Sequence, residues 1–140
     1  AKLEQNTKGL PNIELRQKGA GEKQEKLYIQ FNESDFSANT LSSQIKNEQN
    51  AVTVVPIDED ITEAISFIKM DIEGAEQSAL KGCIKQIRKN HPKLAICTYH
   101  NNEDIWKIAR MVYEIDPSYR FYMRHNGGNL IPTEYVLFCV

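Results

Sequence analysis

The 140-residue sequence predicts an α/β fold, with a mostly parallel sheet that helices cover on both faces. Segments with the pattern of strands alternate along the chain with segments of helical periodicity. The run at residues 65–71 is almost continuously apolar, which is typical of a strand buried on both sides. The chain length and a hydrophobic content of 41% suit one domain with a single core. We therefore expect a single domain over residues 1–140.

The first half of the chain combines short strands with a long polar segment. Residues 12–17 and 26–32 alternate apolar with polar side chains, and the charged stretch between them contains the glycines of a turn. Residues 51–58 are rich in valine, with Pro56 near the end, where a missing amide donor is tolerated. Ser, Asn and Gln dominate residues 32–50, which predicts a long exposed loop. The predicted helices of this half are residues 1–8, which Gly9 closes, and residues 59–64.

In the second half, helices and strands alternate regularly. Apolar residues recur at helical spacing over residues 73–90, with Gly82 as an expected irregularity. Residues 102–115 have the same periodicity, which predicts a helix that buries Trp106. The remaining predicted strands are residues 93–99, 119–125 and 133–140.

The charge balance and the cysteines narrow the class of protein. With 17 basic and 19 acidic residues the formal charge is -2, so we expect neither a nucleic-acid nor a membrane partner. No apolar stretch reaches the roughly 18 residues of a membrane span. The three cysteines, Cys83, Cys97 and Cys139, lie in apolar or helical contexts, which favours reduced thiols and a cytoplasmic protein.

Polar residues follow three of the predicted strands. Asp71, His100 and His125 each come at the carboxyl end of a strand. Ligands of parallel α/β sheets bind at this edge, because the loops there vary while the sheet stays rigid. The topology therefore predicts that these three side chains form one site.

Simpler structural roles remain open for several of these residues. Asp71 and Glu73 precede a helix, and carboxylates there can cap its free amide groups. Glu76 is explained as a first-turn carboxylate, and His100 as a solvated turn residue. Lys69 can extend its stem along apolar neighbours and expose its amine.

No metal site is expected from the residue spacing. A zinc site of Asp71, Cys97, His100 and His125 would have one C-x-x-H pair, without the second pair that zinc sites show. A divalent ion beside Asp71 remains an open alternative.

Four segments in order resemble the second half of an FkbM-type methyltransferase. They are FIKMDIEGAEQSALKG, HPKLAICTYHNNEDIWKI, YRFYMRHN and EYVLFCV. The resemblance is strong over residues 51–140 and weaker over residues 1–50, where PNIELRQKGAG is similar to the preceding strand and turn of the family.

The resemblance implies a Rossmann-like class I fold that binds S-adenosylmethionine and methylates a hydroxyl of a sugar, glycan or small metabolite. It implies cofactor contacts at Asp71, Gly19 and Ala20. For catalysis, Asp71 is expected to orient the acceptor and His100 to act as the general base, with Lys69 as a base if it is buried. The expected acceptor contacts are Glu73, Arg124 and His125.

The family's first strand with its glycine-rich turn, and its second strand ending in an acidic residue, have no counterpart here. We therefore expect a fold truncated on its N-terminal side, the later part of a longer protein and inactive alone. The missing strands would lie between residues 12–17 and 65–71, which leaves an exposed sheet edge and predicts self-association. The alternative function is a non-catalytic interaction or assembly module with a vestigial site.

Overall fold

A computed structural model describes residues 2–31, 40–44, 48–127 and 134–140. In chain order its helices and strands are α1 (Lys2–Thr7), β1 (Gly19–Ala20), β2 (Glu25–Gln30), β3 (Thr40–Ser42), β4 (Ala51–Val55), α2 (Ile57–Asp60), β5 (Phe67–Met70), α3 (Glu76–Lys81), α4 (Ile84–Asn90), β6 (Lys93–Cys97), α5 (Asp104–Ile115), β7 (Phe121–His125) and β8 (Tyr135–Cys139). A 3₁₀ turn, Glu48–Asn50, precedes β4.

The strands form two mixed sheets, with the orders β1-β4-β2-β3 and β5-β6-β8-β7. Only β1 with β4 and β5 with β6 pair in parallel, so within the described residues the sheets are not mostly parallel as expected. The reason is the connections: β7 reaches β8 through residues 126–134, too few for the crossover that parallel neighbours need. Because β8 is antiparallel to both β6 and β7, the strands β5, β6 and β7 still end at the same edge.

The main core lies on one face of the second sheet. Side chains of β5, β6 and β8 pack there against α3, α4 and α5; the most deeply buried are Leu80, Ile87, Leu94, Ile96, Ile108 and Val112. The opposite face carries Phe67, which is 55% exposed, and Lys69. Among the described residues no helix covers this face, so the expectation of helices on both faces is wrong for them.

Four sequence expectations fail locally. Residues 12–17 form no strand, and Ile13 and Leu15 are exposed, because no neighbouring strand pairs with them. The helix predicted at 59–64 begins at Ile57, directly after Pro56.

Trp106 is 55% exposed because the buried stripe of α5 contains Ile108 and Val112 instead. Much of the loop predicted at 32–50 lies outside the described residues, and its described part includes β3.

The helix predicted over residues 73–90 is divided at Gly82. A Cβ at this position would clash with the carbonyl oxygen of Gly21, so only glycine allows α3 to approach the turn after β1 so closely. The chain restarts as α4, whose first amides are capped from α2: Asp58 accepts hydrogen bonds from the backbone N–H of Lys85 (2.8 Å) and Gln86 (2.9 Å). These contacts join the first sheet to the helices beside the candidate site.

The longest helix in the described ranges, α5, has 12 residues. None of the described helices has the length and apolar character needed to cross a membrane.

Candidate active site

The turn between β5 and α3 presents the acidic residues of the site. After Asp71 the chain passes through two left-handed residues, Glu73 (φ 54°) and Gly74 (φ 93°). The conformation is natural for glycine but costs about 1–2 kcal/mol at Glu73. A Cβ on Gly74 would also lie 3.2 Å from Nδ2 of Asn101, so the glycine lets the turn approach the loop after β6.

Neither Asp71 nor Glu73 caps the following helix, contrary to the capping alternative. Helix α3 starts at Glu76, and its N-cap residue, Ala75, makes no side-chain cap. The backbone N–H of Ile72 donates to Oε1 of Glu76 over 2.9 Å instead. This inward bond leaves the carboxylates of Asp71 and Glu73 available to the site.

The loop after β6 places the imidazole of His100 against these carboxylates. Its side chain is 8% exposed, so it is not a solvated turn residue. Nδ1 lies 2.9 Å from Oε1 of Glu76, an ion-pair contact whose angles depart from those of a hydrogen bond. Nε2 lies 3.7 Å from Oδ1 of Asp71 and 3.6 Å from Oε2 of Glu73. The structure thus brings two predicted site residues, Asp71 and Glu73, together around a third, His100.

Asp71 is held in its ionised form. Partial burial raises the pKa of Asp71. Hydrogen bonds from Lys69, Cys97 and Tyr99 together lower this pKa by more, so it lies below the ordinary value. Lys69 Nζ lies 3.2 Å from Oδ2, and the Tyr99 hydroxyl donates to Oδ1 over 3.1 Å. Burial, with the nearby Asp71 charge, raises the pKa of Cys97 to about 12, so its thiol keeps its proton and is no nucleophile.

Lys69 does not meet the condition for a base. The sequence suggested that role only for a buried lysine, whereas Lys69 lies on the open face of β5 with most of its side chain exposed. Its ammonium pairs with Asp71, so its structural contribution is to position that carboxylate.

One of the expected cofactor contacts, Ala20, lies near this turn. Ala20, Glu73 and Gly74 line one cleft of about 210 Å³ between the first sheet and the start of α3. Gly19 packs against Val54, since a Cβ on it would lie 3.0 Å from Cγ2 of that valine. Pockets for ligands of cofactor size usually measure roughly 300–1,000 Å³, so this cleft by itself is smaller than such a pocket.

Arg124 and His125 lie farther along the same edge. Both belong to β7, which β6 and β8 separate from β5. The Arg124 guanidinium lies 5.9 Å from the centre of the Phe138 ring, and His125 stacks on Tyr135 at 4.7 Å. Because β8 lies between β6 and β7, these two strands are two strand spacings, or roughly 10 Å, apart.

Sequence reasoning missed the role of Glu76. It is 0% exposed and contacts His100, whereas the sequence suggested only a first-turn carboxylate. One indication was available: Glu76 precedes Ala79 and Leu80 by three and four residues, which places it on the apolar face of the helix.

The chain is similar to known proteins in sequence and in fold. The family model of the methyltransferase FkbM domain matches residues 6–128. The crystal structure of methyltransferase FkbM from Methylobacillus flagellatus KT is similar, with a TM-score of 0.74 and 29% sequence identity over 99% of this chain. The match covers 31% of that chain, so the present chain spans about a third of its length. No curated protein is significantly similar in sequence. Because the family model covers most of its residues, the chain belongs to the FkbM methyltransferase domain family.

Proposed function

We propose that this chain carries the catalytic face of an S-adenosylmethionine-dependent O-methyltransferase that acts on a hydroxyl of a sugar, glycan or other small metabolite. Family membership supports the reaction class. One observation carries the proposal: the buried pair of Glu76 and His100 directs Nε2 toward Asp71 and Glu73 at the sheet edge.

Methyl transfer to a hydroxyl requires an aligned oxygen and, in general, removal of its proton. A carboxylate beside Nδ1 favours the imidazole tautomer with its proton on Nδ1, which leaves the lone pair of Nε2 facing the site. His100 is therefore the candidate general base. The acceptor proton would pass to Nε2 of His100, and the acceptor oxygen would then be free to take the methyl group that bound S-adenosylmethionine would supply.

The carboxylates around Nε2 have two uses in this reaction. S-adenosylmethionine, when bound, supplies a methyl group activated on a cationic sulfonium. Asp71 and Glu73 contribute negative charge beside that cation and stabilise the imidazolium that forms on His100. Carboxylate oxygens also accept hydrogen bonds from sugar hydroxyls, which orients the acceptor. Arg124 and His125 are proposed contacts for acceptors that extend toward β7.

The proposed cofactor contacts are Asp71, Gly19 and Ala20; of these, Ala20 lines the cleft together with Glu73. The cleft of about 210 Å³ does not enclose a ligand of this size. We therefore propose that further chain, or a second copy, completes the pocket, and that the isolated 140 residues have little turnover.

A second candidate function is a non-catalytic assembly module. It is favoured by β5, which forms an edge of its sheet in the described part of the chain and carries the exposed Phe67. Unpaired strand edges bind strands of other chains.

We also propose a cytoplasmic location. Cys83, Cys97 and Cys139 are all free and buried, and cytosolic proteins generally keep their thiols reduced.

A calorimetric titration with S-adenosylhomocysteine tests the cofactor site without turnover. We expect saturable binding of about one ligand per completed pocket. Absence of binding by the 140 residues in every association state would show that further chain, and not a second copy, must complete the pocket. Absence of binding by a longer protein that contains this further chain would contradict the proposal and favour the assembly module.

The role of Asp71 is tested in a protein with measurable methyl transfer to a panel of sugars and hydroxylated metabolites. Asp71→Asn should lower turnover by about 10-fold or more and leave the unfolding temperature nearly unchanged. Asp60→Asn, which alters an ion-paired aspartate outside the site, is the matched control. Unchanged turnover with lost stability would leave Asp71 only a structural role.

A further inference from the structure

We propose that Asp71, Glu73 and His100 bind a divalent transition-metal cation. The proposal concerns the site described above, and only its catalytic consequence rests on the proposed function. Cation binding itself follows from the burial, spacing and chemistry of the three side chains.

The first argument is the buried imidazole. The His100 side chain is 8% exposed, and within the described residues its Nε2 has no hydrogen-bond partner. A buried polar atom without a hydrogen-bond partner destabilises the folded protein, so proteins seldom leave one in place. Nε2 faces the carboxylates of Asp71 and Glu73, whose negative charge favours binding of a cation at this position.

The second argument is the spacing of the ligand atoms. Nε2 lies 3.7 Å from Oδ1 of Asp71 and 3.6 Å from Oε2 of Glu73, beyond the range of a hydrogen bond. Two ligand atoms that are each ~2.1 Å from one ion and form an angle of ~120° are about 3.6 Å apart. One ligand atom from each of the three residues can be chosen so that all lie within 4.8 Å of one another. The two distances from Nε2 therefore match ligands around a shared ion.

The third argument is the support behind the ligands. Metal-binding histidines usually place their second ring nitrogen against a carboxylate, and Glu76 lies 2.9 Å from Nδ1 of His100 in this position. Asp71 already contacts Lys69 through Oδ2 and the Tyr99 hydroxyl through Oδ1. A carboxylate oxygen has two lone pairs, so Oδ1 can accept from Tyr99 and still coordinate a cation.

The chemistry of the ligands selects the class of ion. Carboxylates suit Mn²⁺ and Mg²⁺, whereas imidazole suits Zn²⁺ and Fe²⁺, so one imidazole with two carboxylates favours borderline ions such as Mn²⁺, Fe²⁺ and Zn²⁺. Three protein ligands leave coordination positions for water or for an acceptor hydroxyl.

A bound cation changes the role of His100. Nε2 cannot hold a cation and accept a proton at the same time, so His100 becomes a ligand and the coordinated hydroxyl becomes more acidic. The hydroxyl proton then leaves to water. The oxygen takes the methyl group, and the electron pair of the broken S–C bond stays on sulfur, as in the metal-free reaction.

Titration of the full 140-residue chain with Mn²⁺, followed by electron paramagnetic resonance, tests the site. We expect one Mn²⁺ per chain and a hyperfine coupling to a histidine ¹⁴N nucleus. His100→Gln should abolish that coupling and weaken binding at least about 10-fold, whereas His91→Gln should retain both. No saturable binding by the folded chain, or an unchanged coupling in His100→Gln, would overturn the proposal.

A second variant keeps the test valid if His100→Gln fails to fold. Glu73→Gln changes a partly exposed turn residue and should weaken Mn²⁺ binding about 10-fold, while Glu114→Gln on α5 should not. Equal affinity in these two variants would contradict the assignment of Glu73 as a ligand.

Cation binding is measured without cofactor or acceptor, so its failure is distinguishable from failure of the proposed function. Methyl transfer by a chelator-treated, metal-free protein would overturn the catalytic role of the cation and leave the proposed function standing. Mn²⁺ binding in a protein that never binds S-adenosylhomocysteine would support the cation site and count against the proposed function.

Discussion

Oε1 of Glu76 lies 2.9 Å from Nδ1 of His100, and the two side chains are 0% and 8% exposed. Glu76 begins α3, whereas His100 follows β6, so the contact exists only because β5 and β6 pair in parallel and end side by side. Glu76 is shielded from solvent by the same packing that places His100. We therefore expect Glu76 to act on the proposed site through the imidazole, as a positioning residue.

Glu76→Gln should lower the rate of methyl transfer about 10²-fold, because a neutral amide no longer stabilises the imidazolium or favours the proton on Nδ1. The Ile72 amide can still donate to the Gln side-chain oxygen, so we expect a smaller effect on folding. The measurement combines kcat with ¹⁵N NMR shifts of His100 at a pH of about 8, where an ordinary histidine is neutral.

Glu114→Gln, an exposed carboxylate of α5 that pairs with Arg110, is the matched control and should leave both readouts unchanged. If Glu76→Gln lowers only the unfolding temperature and leaves the tautomer balance intact, Glu76 is a structural residue.

Asp116 makes the stability of the fold depend on pH. Its pKa falls from the ordinary 3.8 to about 2, because the hydroxyl and backbone N–H of Ser118 and the ring of His91 contact the carboxylate. A lowered folded-state pKa contributes stability that is complete above the unfolded value and disappears as the pH falls through about 2.

Asp116→Asn should therefore destabilise the protein by about 1–2 kcal/mol above a pH of about 5, and this difference should vanish toward a pH of about 2. This loss of stability is smaller than the free energy equivalent to the whole pKa change, because the Asp116 side chain is 19% exposed and solvent screens its interactions. Urea denaturation across this pH range measures it, with Glu59→Gln as the control. A difference that does not vary with pH would show that the contribution of Asp116 is not ionic.

Gly82→Ala should destabilise the protein by about 3 kcal/mol. The new Cβ would clash with the Gly21 carbonyl oxygen and approach the Pro56 Cα to 3.1 Å, and neither backbone atom can move freely. Gly9→Ala is the comparison, because Gly9 has a positive φ of 86° but open space around it, so only about 1 kcal/mol is expected. Similar losses in the two variants, measured by urea unfolding, would refute the steric argument.

The edge of β5 should support self-association of the isolated chain. Its backbone groups lie at the sheet margin beside the exposed Phe67, a surface that favours pairing with another strand. Sedimentation velocity should show association that rises with concentration and weakens in Phe67→Lys. Trp106→Lys is the control, because both aromatic side chains are 55% exposed. A monodisperse wild-type monomer at all concentrations would rule out this role for the edge.

Local patterns predicted most elements of the second half of the chain. The periodicity of residues 102–115 corresponds to α5, and the apolar run after Pro92 corresponds to β6. These segments are long or strongly apolar, so their own pattern outweighs their surroundings. The alternation of residues 12–17 was as clear but formed no strand, because a strand is stable only with a partner.

Part of the candidate site was also predictable. Asp71 and His100 follow two strands that pair in parallel, and the sheet brings their side chains together as expected. Arg124 and His125 also lie at the carboxyl end of a strand. However, β8 lies between β6 and β7, so these two residues are two strands away from the strand that precedes His100. Strand order depends on how the connections pack, which no local pattern reports.

The sequence by itself determined the strands β5 and β6, the helix α5, the glycine that the turn after β5 needs, and the polar residues at the strand ends. Each of these depends on the conformation or periodicity of neighbouring residues. Only the tertiary structure decided that Glu76 points inward to His100 and that Lys69 points outward beside Asp71. Burial and charge pairing arise between segments far apart in the chain, so they exist only once the sheet and its helices have packed.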